Sequence, residues 1–174
     1  MKGVGFSFVK DTYPFSPILS GGGQQNGFRS GTENILGIYT IKLALEELKE
    51  DFNPEKMLKN KMMIENHLRE NYGPTVKLIG ENSDKKNLNT IYFMVGKNPA
   101  HNIMIAFDMA GIELSSGSAC SSGSTVPSRV LKGLGFDDDE ARCGIRLSFG
   151  AKFNEKDAKT VCEIMDKVLP RFFD

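Results

Sequence analysis

With 174 residues the chain is long enough to bury a sizeable core without disulfide staples. Its 22 Lys and Arg balance its 22 Asp and Glu, and no basic stripe stands out, which argues against nucleic-acid binding through phosphate contacts. No apolar run approaches a membrane span, and three irregularly spaced cysteines do not read as a disulfide framework, so a reducing cytoplasmic setting is expected.

Met1 to Lys10 alternates Val4, Phe6 and Phe8 against Gly5, Ser7 and Val9, which is the pattern of a strand. A strand this early implies that something precedes it. Pro14 and Pro17 then break regularity, and Gly21-Gly22-Gly23 supplies backbone freedom suited to a tight turn or a close approach. Ser30 and Glu33 have the spacing of a capping box, so a helix is expected to start near Thr32. It would run from Asn34 to about Lys49, with Ile35, Ile38, Ile41, Leu45 and Leu48 facing inward. Free amides and a hydroxyl at a helix start can hold an anion, and Thr32 is placed to contact a phosphate. A capped helix after a glycine turn explains the same residues. The stretch is not a P-loop, because no Gly-Lys-Ser/Thr follows.

Pro54 to Tyr72 has helical spacing in Met57, Lys61, Ile64 and Leu68, with Gly73-Pro74 as the stop. Val76 to Ile79 and Asn89 to Val95 are expected strands, joined by the polar turn Glu81 to Asn87. A short helix over Asn102 to Gly111 leads to a strand at Ile112. Helices are expected again over Ser128 to Gly135 and Asp137 to Arg142, then a strand over Gly144 to Gly150. Asn154 to Phe172 closes the chain as an amphipathic helix with Ala158, Val161, Cys162, Met165, Val168, Leu169 and Phe172 on one stripe. The mixture of elements predicts an α+β fold, a small mixed sheet with helices packed on one side.

One stretch stands apart. After Ile112-Glu113-Leu114, the residues from Ser115 to Pro127 are almost all Ser, Gly, Ala and Thr around a single Cys120. Such a composition cannot fix itself by apolar burial, so it reads as a surface loop carrying a thiol, either a functional arm or a plain linker. Arg146 alternates with Ile145 and Leu147, so it points away from them, either to solvent or toward a carboxylate it can grip in bidentate fashion. Cys143 and Cys162 read as buried small hydrophobes. His67 and His101 lie far apart, and no cluster at ligand spacing points to a metal.

These motifs, taken in order, resemble one family. Gly21-Gly22-Gly23-Gln24, Arg29 to Asn34, Ser115 to Ser122, Pro127-Ser128-Arg129-Val130-Leu131 and Ile145 to Gly150 are together similar to the cysteine desulfurases of the class V aminotransferases. These are pyridoxal-phosphate enzymes of fold type I, and the long cysteine loop is like that of the nitrogen-fixation and iron–sulfur-cluster desulfurases. The resemblance implies that Cys120 is the nucleophile that takes sulfur from L-cysteine as a persulfide and leaves L-alanine. It implies that Arg146 binds the substrate carboxylate and that Thr32 reaches the phosphate of pyridoxal 5'-phosphate across a homodimer interface. A sulfur-acceptor or iron–sulfur scaffold protein is the implied partner. The lysine that would hold the cofactor lies ahead of the Lys-Gly-Val-Gly strand in the family, so it is missing here, and Lys2 is not its equivalent. The expectation is therefore the C-terminal portion of a desulfurase, inactive alone: residues 1–33 from the large cofactor domain, 34–53 a linking helix, and 54–174 the small domain with the cysteine loop at 115–127. A non-catalytic sulfur-relay or partner-binding module, or another class V aminotransferase, is the alternative.

Overall fold

The computed structural model describes residues 3–117 and 126–173. Two compact units emerge, Met1–Phe52 and Asn53–Asp174.

In the first unit no residue from Gly3 to Lys10 forms a strand, contrary to the alternation of Val4, Phe6 and Phe8. A strand needs a ladder partner, and none is offered among the unit's described residues. The helix α1 spans Ile35–Asp51 and starts later than the capping-box spacing implied. Asn34 is its cap, accepting from Gly37 N at 3.0 Å. Asn caps as well as Ser, and Ser30 is used elsewhere, its Oγ donating to the Gly22 carbonyl at 2.7 Å. Glu33 instead accepts from Gln25 Nε2 at 3.4 Å. The expected inner face of α1 is not buried either: Ile35 is 72% exposed and Leu45 50%. Ile35, Leu36, Ile38 and Tyr39 spread apolar surface around the helix instead of gathering it into one stripe.

The second unit is the α+β layer. The helix α2, Pro54–Tyr72, starts where Asn53 caps Lys56 N and Pro54 fills a first-turn position that needs no N–H. Strands β1 (Val76–Leu78) and β2 (Thr90–Val95) follow. The helix α3 spans Ala100–Met109, β3 is Ser115–Ser116, and α4 is Arg129–Gly133. A 3-10 turn at Glu140–Arg142 leads to β4, Ile145–Ser148, and α5 spans Glu155–Val168. A reciprocal capping box between Asn154 and Asp157 starts α5. The strand expected at Ile112 forms instead at Ser115, and Ile112 and Leu114 pack against the core.

The four strands lie in the order β1-β2-β4-β3 and every pairing is antiparallel, so the parallel component of a mixed sheet is not seen among the described residues. Ile91, Phe93, Val95, Ile145 and Leu147 point from one face into the main core with Ile64, Leu68, Ile103, Phe107 and Met165 from α2, α3 and α5. Strand alternation sends Tyr92, Met94 and Arg146 to the other face. There Met94, Leu131, Ala141 and Cys143 make a second, smaller cluster under α4. This cluster covers only part of that face, and Arg146 lies on the rest.

Between α2 and α5, Asp166 accepts from Tyr72 Oη and bonds His67 Nε2 at 2.8 Å. Burial first, then the bond and charge of Asp166, push the Tyr72 hydroxyl from 10.0 up to about 12. The folded state holds this proton more tightly than the unfolded chain. Its contribution is therefore complete below pH 10 and is lost as pH rises toward about 12. Urea midpoints measured across that window should fall more steeply for the parent chain than for Tyr72→Phe, which has no proton to lose. Parallel curves would refute the assignment.

Candidate functional site

The site grows from a single cross-strand row on the open face. Arg146 of β4 is paired in register with Tyr92 on one side and Ser115 on the other. Residues directly opposite on antiparallel strands share a face, so the three side chains lie together, away from Ile145 and Leu147, which are 0% and 4% exposed in the core. Arg146 is half-buried. Its Nε–H donates to Ser115 Oγ at 3.1 Å, and Ser115 Oγ donates to the Arg146 carbonyl at 3.3 Å. No carboxylate pairs with Arg146 among the described residues.

Tyr92 reaches the other side of the same loop. Its hydroxyl donates to Ser128 Oγ at 3.1 Å, and Ser128 is buried. The Ser128 side chain also caps α4 by accepting from Leu131 N at 3.4 Å, while its own N–H donates to the Ala141 carbonyl at 2.9 Å. Gly117 takes φ +30°, and a Cβ built there would sit 3.8 Å from Ser128 Cβ. The stretch between Ser115 and Ser128 thus leaves and returns at one place, with Arg146 beside it. Cys120 falls within residues 118–125, outside the described residues.

Gly144 makes this arrangement possible. A Cβ there would stand 2.5 Å from Tyr92 Oη and 2.6 Å from Leu131 Cδ1, two groups locked by their own partners. Gly144→Ala is expected to cost about 1–3 kcal/mol by overpacking and to displace Tyr92 from Ser128. Chemical denaturation checks the first effect, and the loss of the Tyr92–Ser128 contact in a crystal of the variant checks the second.

Thr32 belongs to the other unit. It is exposed, three residues before α1, beside a loop in which Gln25 and Asn26 take left-handed φ of 53° and 55°. Gly31 N is held by Gln24 Oε1 at 3.3 Å, so that amide is already engaged. Small residues and an open hydroxyl suit the phosphate end of a cofactor. No described residue is assigned to the ring of such a cofactor.

Cys143 and Cys162 are buried, as the pattern of Cys162 on its stripe implied. Burial first, then the charges of Asp139, Glu140 and Asp137, raise the Cys143 thiol. Tyr92 and Gly144 lie outside the motifs read from sequence, and Ser115 and Ser128 stand inside two of them without having been singled out as site residues. The available signals were slight: a hydroxyl in the apolar strand Ile91-Tyr92-Phe93, and a capping serine after Pro127.

Comparison with known proteins places this geometry in context. The profile described as Aminotransferase class-V matches residues 2–161. The cysteine desulfurase IscS of Clostridium botulinum is 34% identical over 97% of this chain and 43% of its own length. The cysteine desulfurase IscS 1 of Archaeoglobus fulgidus is 31% identical over 98% of this chain and 44% of its own. Among solved structures, the NifS-like protein of Rickettsia africae superposes with a TM-score of 0.73 at 28% identity, covering 91% of this chain and 41% of that one. The chain therefore spans less than half the length of these relatives. A match over residues 2–161, with relatives 31–34% identical over nearly the whole chain, shows that the chain belongs to the aminotransferase class-V family.

Proposed function

We propose that the chain supplies the C-terminal portion of a pyridoxal-phosphate-dependent cysteine desulfurase. Cys120 attacks the sulfur of L-cysteine. A sulfur–sulfur bond forms on the protein as the substrate's carbon–sulfur bond breaks, and the carbon skeleton leaves as L-alanine. The cofactor, when bound, supplies the electron sink that this bond cleavage needs. Arg146 fixes the substrate by its carboxylate, presenting its sulfur to the arm that bears Cys120. Thr32 holds the cofactor phosphate, contributed from a second subunit. The persulfide then passes to an acceptor or iron–sulfur scaffold protein in the cytoplasm.

One observation carries this reading: both ends of the cysteine stretch converge on the face that bears an arginine with no carboxylate partner among the described residues. Such flanks suit a thiol whose task is to meet a substrate gripped by that guanidinium. The names of the similar proteins support the substrate.

The test has two arms. The 174-residue chain mixed with pyridoxal phosphate and L-cysteine is expected to release no alanine above a Cys120→Ala control. Joined to the part of the Clostridium relative that the match leaves out, it is expected to release alanine, and Cys120→Ala to remove at least about 100-fold of that rate. Undiminished alanine release by Cys120→Ala in the joined protein would overturn the assignment.

A further inference from the structure

We infer that Ser115 is a positioning residue for Arg146, a step that rests on the reading of Arg146 as the carboxylate site. An arginine on an open sheet face has several rotatable bonds, and a flexible guanidinium is a poor receptor for a planar carboxylate. Ser115 removes that freedom. A hydroxyl offers one donor and two lone pairs, and here it accepts from the Nε–H of Arg146 at 3.1 Å while donating to the carbonyl of the same residue at 3.3 Å. The serine thereby bridges the backbone and the guanidinium of one residue across the β3–β4 pair. With the Nε–H engaged, the terminal NH2 groups are left to receive the two oxygens of a carboxylate.

The placement of Ser115 gives the bridge a second consequence. Ser115 opens the two-residue strand β3 and stands two residues before Gly117, which lies against Ser128. The guanidinium is thus tied to the first anchor of the cysteine stretch, and Tyr92 on its other flank is tied to the second. Arg146 sits between two hydroxyls that each hold one end of the same loop. Orientation of the carboxylate receptor and of the residues flanking the cysteine stretch shares one small set of hydrogen bonds.

Arginine Nε–H spectra of the full chain test this directly. Arg146→Lys removes one resonance and so identifies it. In the parent chain that resonance is expected to exchange with water about tenfold more slowly than those of exposed arginines, the effect of one retained hydrogen bond. Ser115→Thr, which keeps the hydroxyl, should preserve the protection. Ser115→Ala should abolish it, and Ser115→Cys, of similar size with a weak acceptor, should abolish most of it even if the alanine variant folds poorly. Protection unchanged in both Ser115→Ala and Ser115→Cys overturns the proposal. Titration with L-alanine separates this from the underlying reading. A shift of the Arg146 resonance in the parent and Ser115→Thr chains but not in Ser115→Ala supports the positioning role, and an equal shift in Ser115→Ala overturns it. Absence of any shift in the parent chain sinks the carboxylate reading alone, while the exchange rates still decide the role of Ser115.

Discussion

Phe93→Ala is expected to destabilise the unit Asn53–Asp174 by about 3–5 kcal/mol, the range for deleting a fully buried aromatic ring. Phe93 is 0% exposed at the middle of β2. It is paired in register with Leu78 on one neighbour and Ile145 on the other, so no edge is available into which the surrounding chain can collapse. Helices α2 and α5 close the space above it through Ile64, Leu68 and Met165. Much of the cost is the cavity itself, since a packed sheet flanked by helices relaxes only in part. Urea unfolding followed by far-ultraviolet circular dichroism measures the loss. Phe8→Ala is the control, because Phe8 is 96% exposed and its removal should stay within about 0.5 kcal/mol. A loss below about 1 kcal/mol for Phe93→Ala would contradict the core described above.

Brief iodoacetamide treatment is expected to mark Cys120 roughly 100-fold faster than Cys162, on the thiolate fraction of an unshifted thiol against that of Cys162. The Cys162 thiol is pushed up to about 11, by burial first and by the Asp166 charge next. At pH 8 such a thiol is about 0.1% thiolate, whereas one at the unshifted 9.0 is about a tenth ionised. Cys162 is also only 8% exposed on the inner stripe of α5, which slows the reagent further. Cys143 is 2% exposed, donates its Sγ–H to the Asp139 carbonyl at 3.3 Å and faces acidic neighbours that raise its thiol. The Ser/Gly composition around Cys120 offers no apolar cover of that kind. Peptide mass mapping at short times reads the order. Equal labelling of all three cysteines would show that Cys120 is shielded like the others and would remove the basis for a thiol arm.

The periodic elements were legible from residue order because their physics is local. The spacing of Met57, Ile64 and Leu68, bounded by Asn53-Pro54 and Gly73, fixes α2 at Pro54–Tyr72 without reference to anything else. The same holds for the stripe of α5 and for the alternation that turns Arg146 away from Ile145 and Leu147. Where a second element had to supply the partner, residue order misled. Val4, Phe6 and Phe8 alternate like a strand, yet hydrogen-bond pairing is not encoded in alternation, and no strand forms among the described residues there. Ser30 and Glu33 have capping-box spacing, but Asn34 lies closer to the helix and takes the role, leaving Ser30 to close the glycine turn.

By itself, then, the amino-acid order determined the α+β class, the buried cysteines, the family resemblance and an arginine facing away from the core. Only the tertiary structure decided that this arginine lies between Tyr92 and Ser115, which stand 54 and 31 positions before it in the sequence, all on one cross-strand row. Sheet register sets such meetings, and register depends on how whole strands pack rather than on any residue's own preference. Tyr92, Ser115 and Ser128 carry no chemical mark until the chain folds, because a hydroxyl becomes specific only through the group it is brought against.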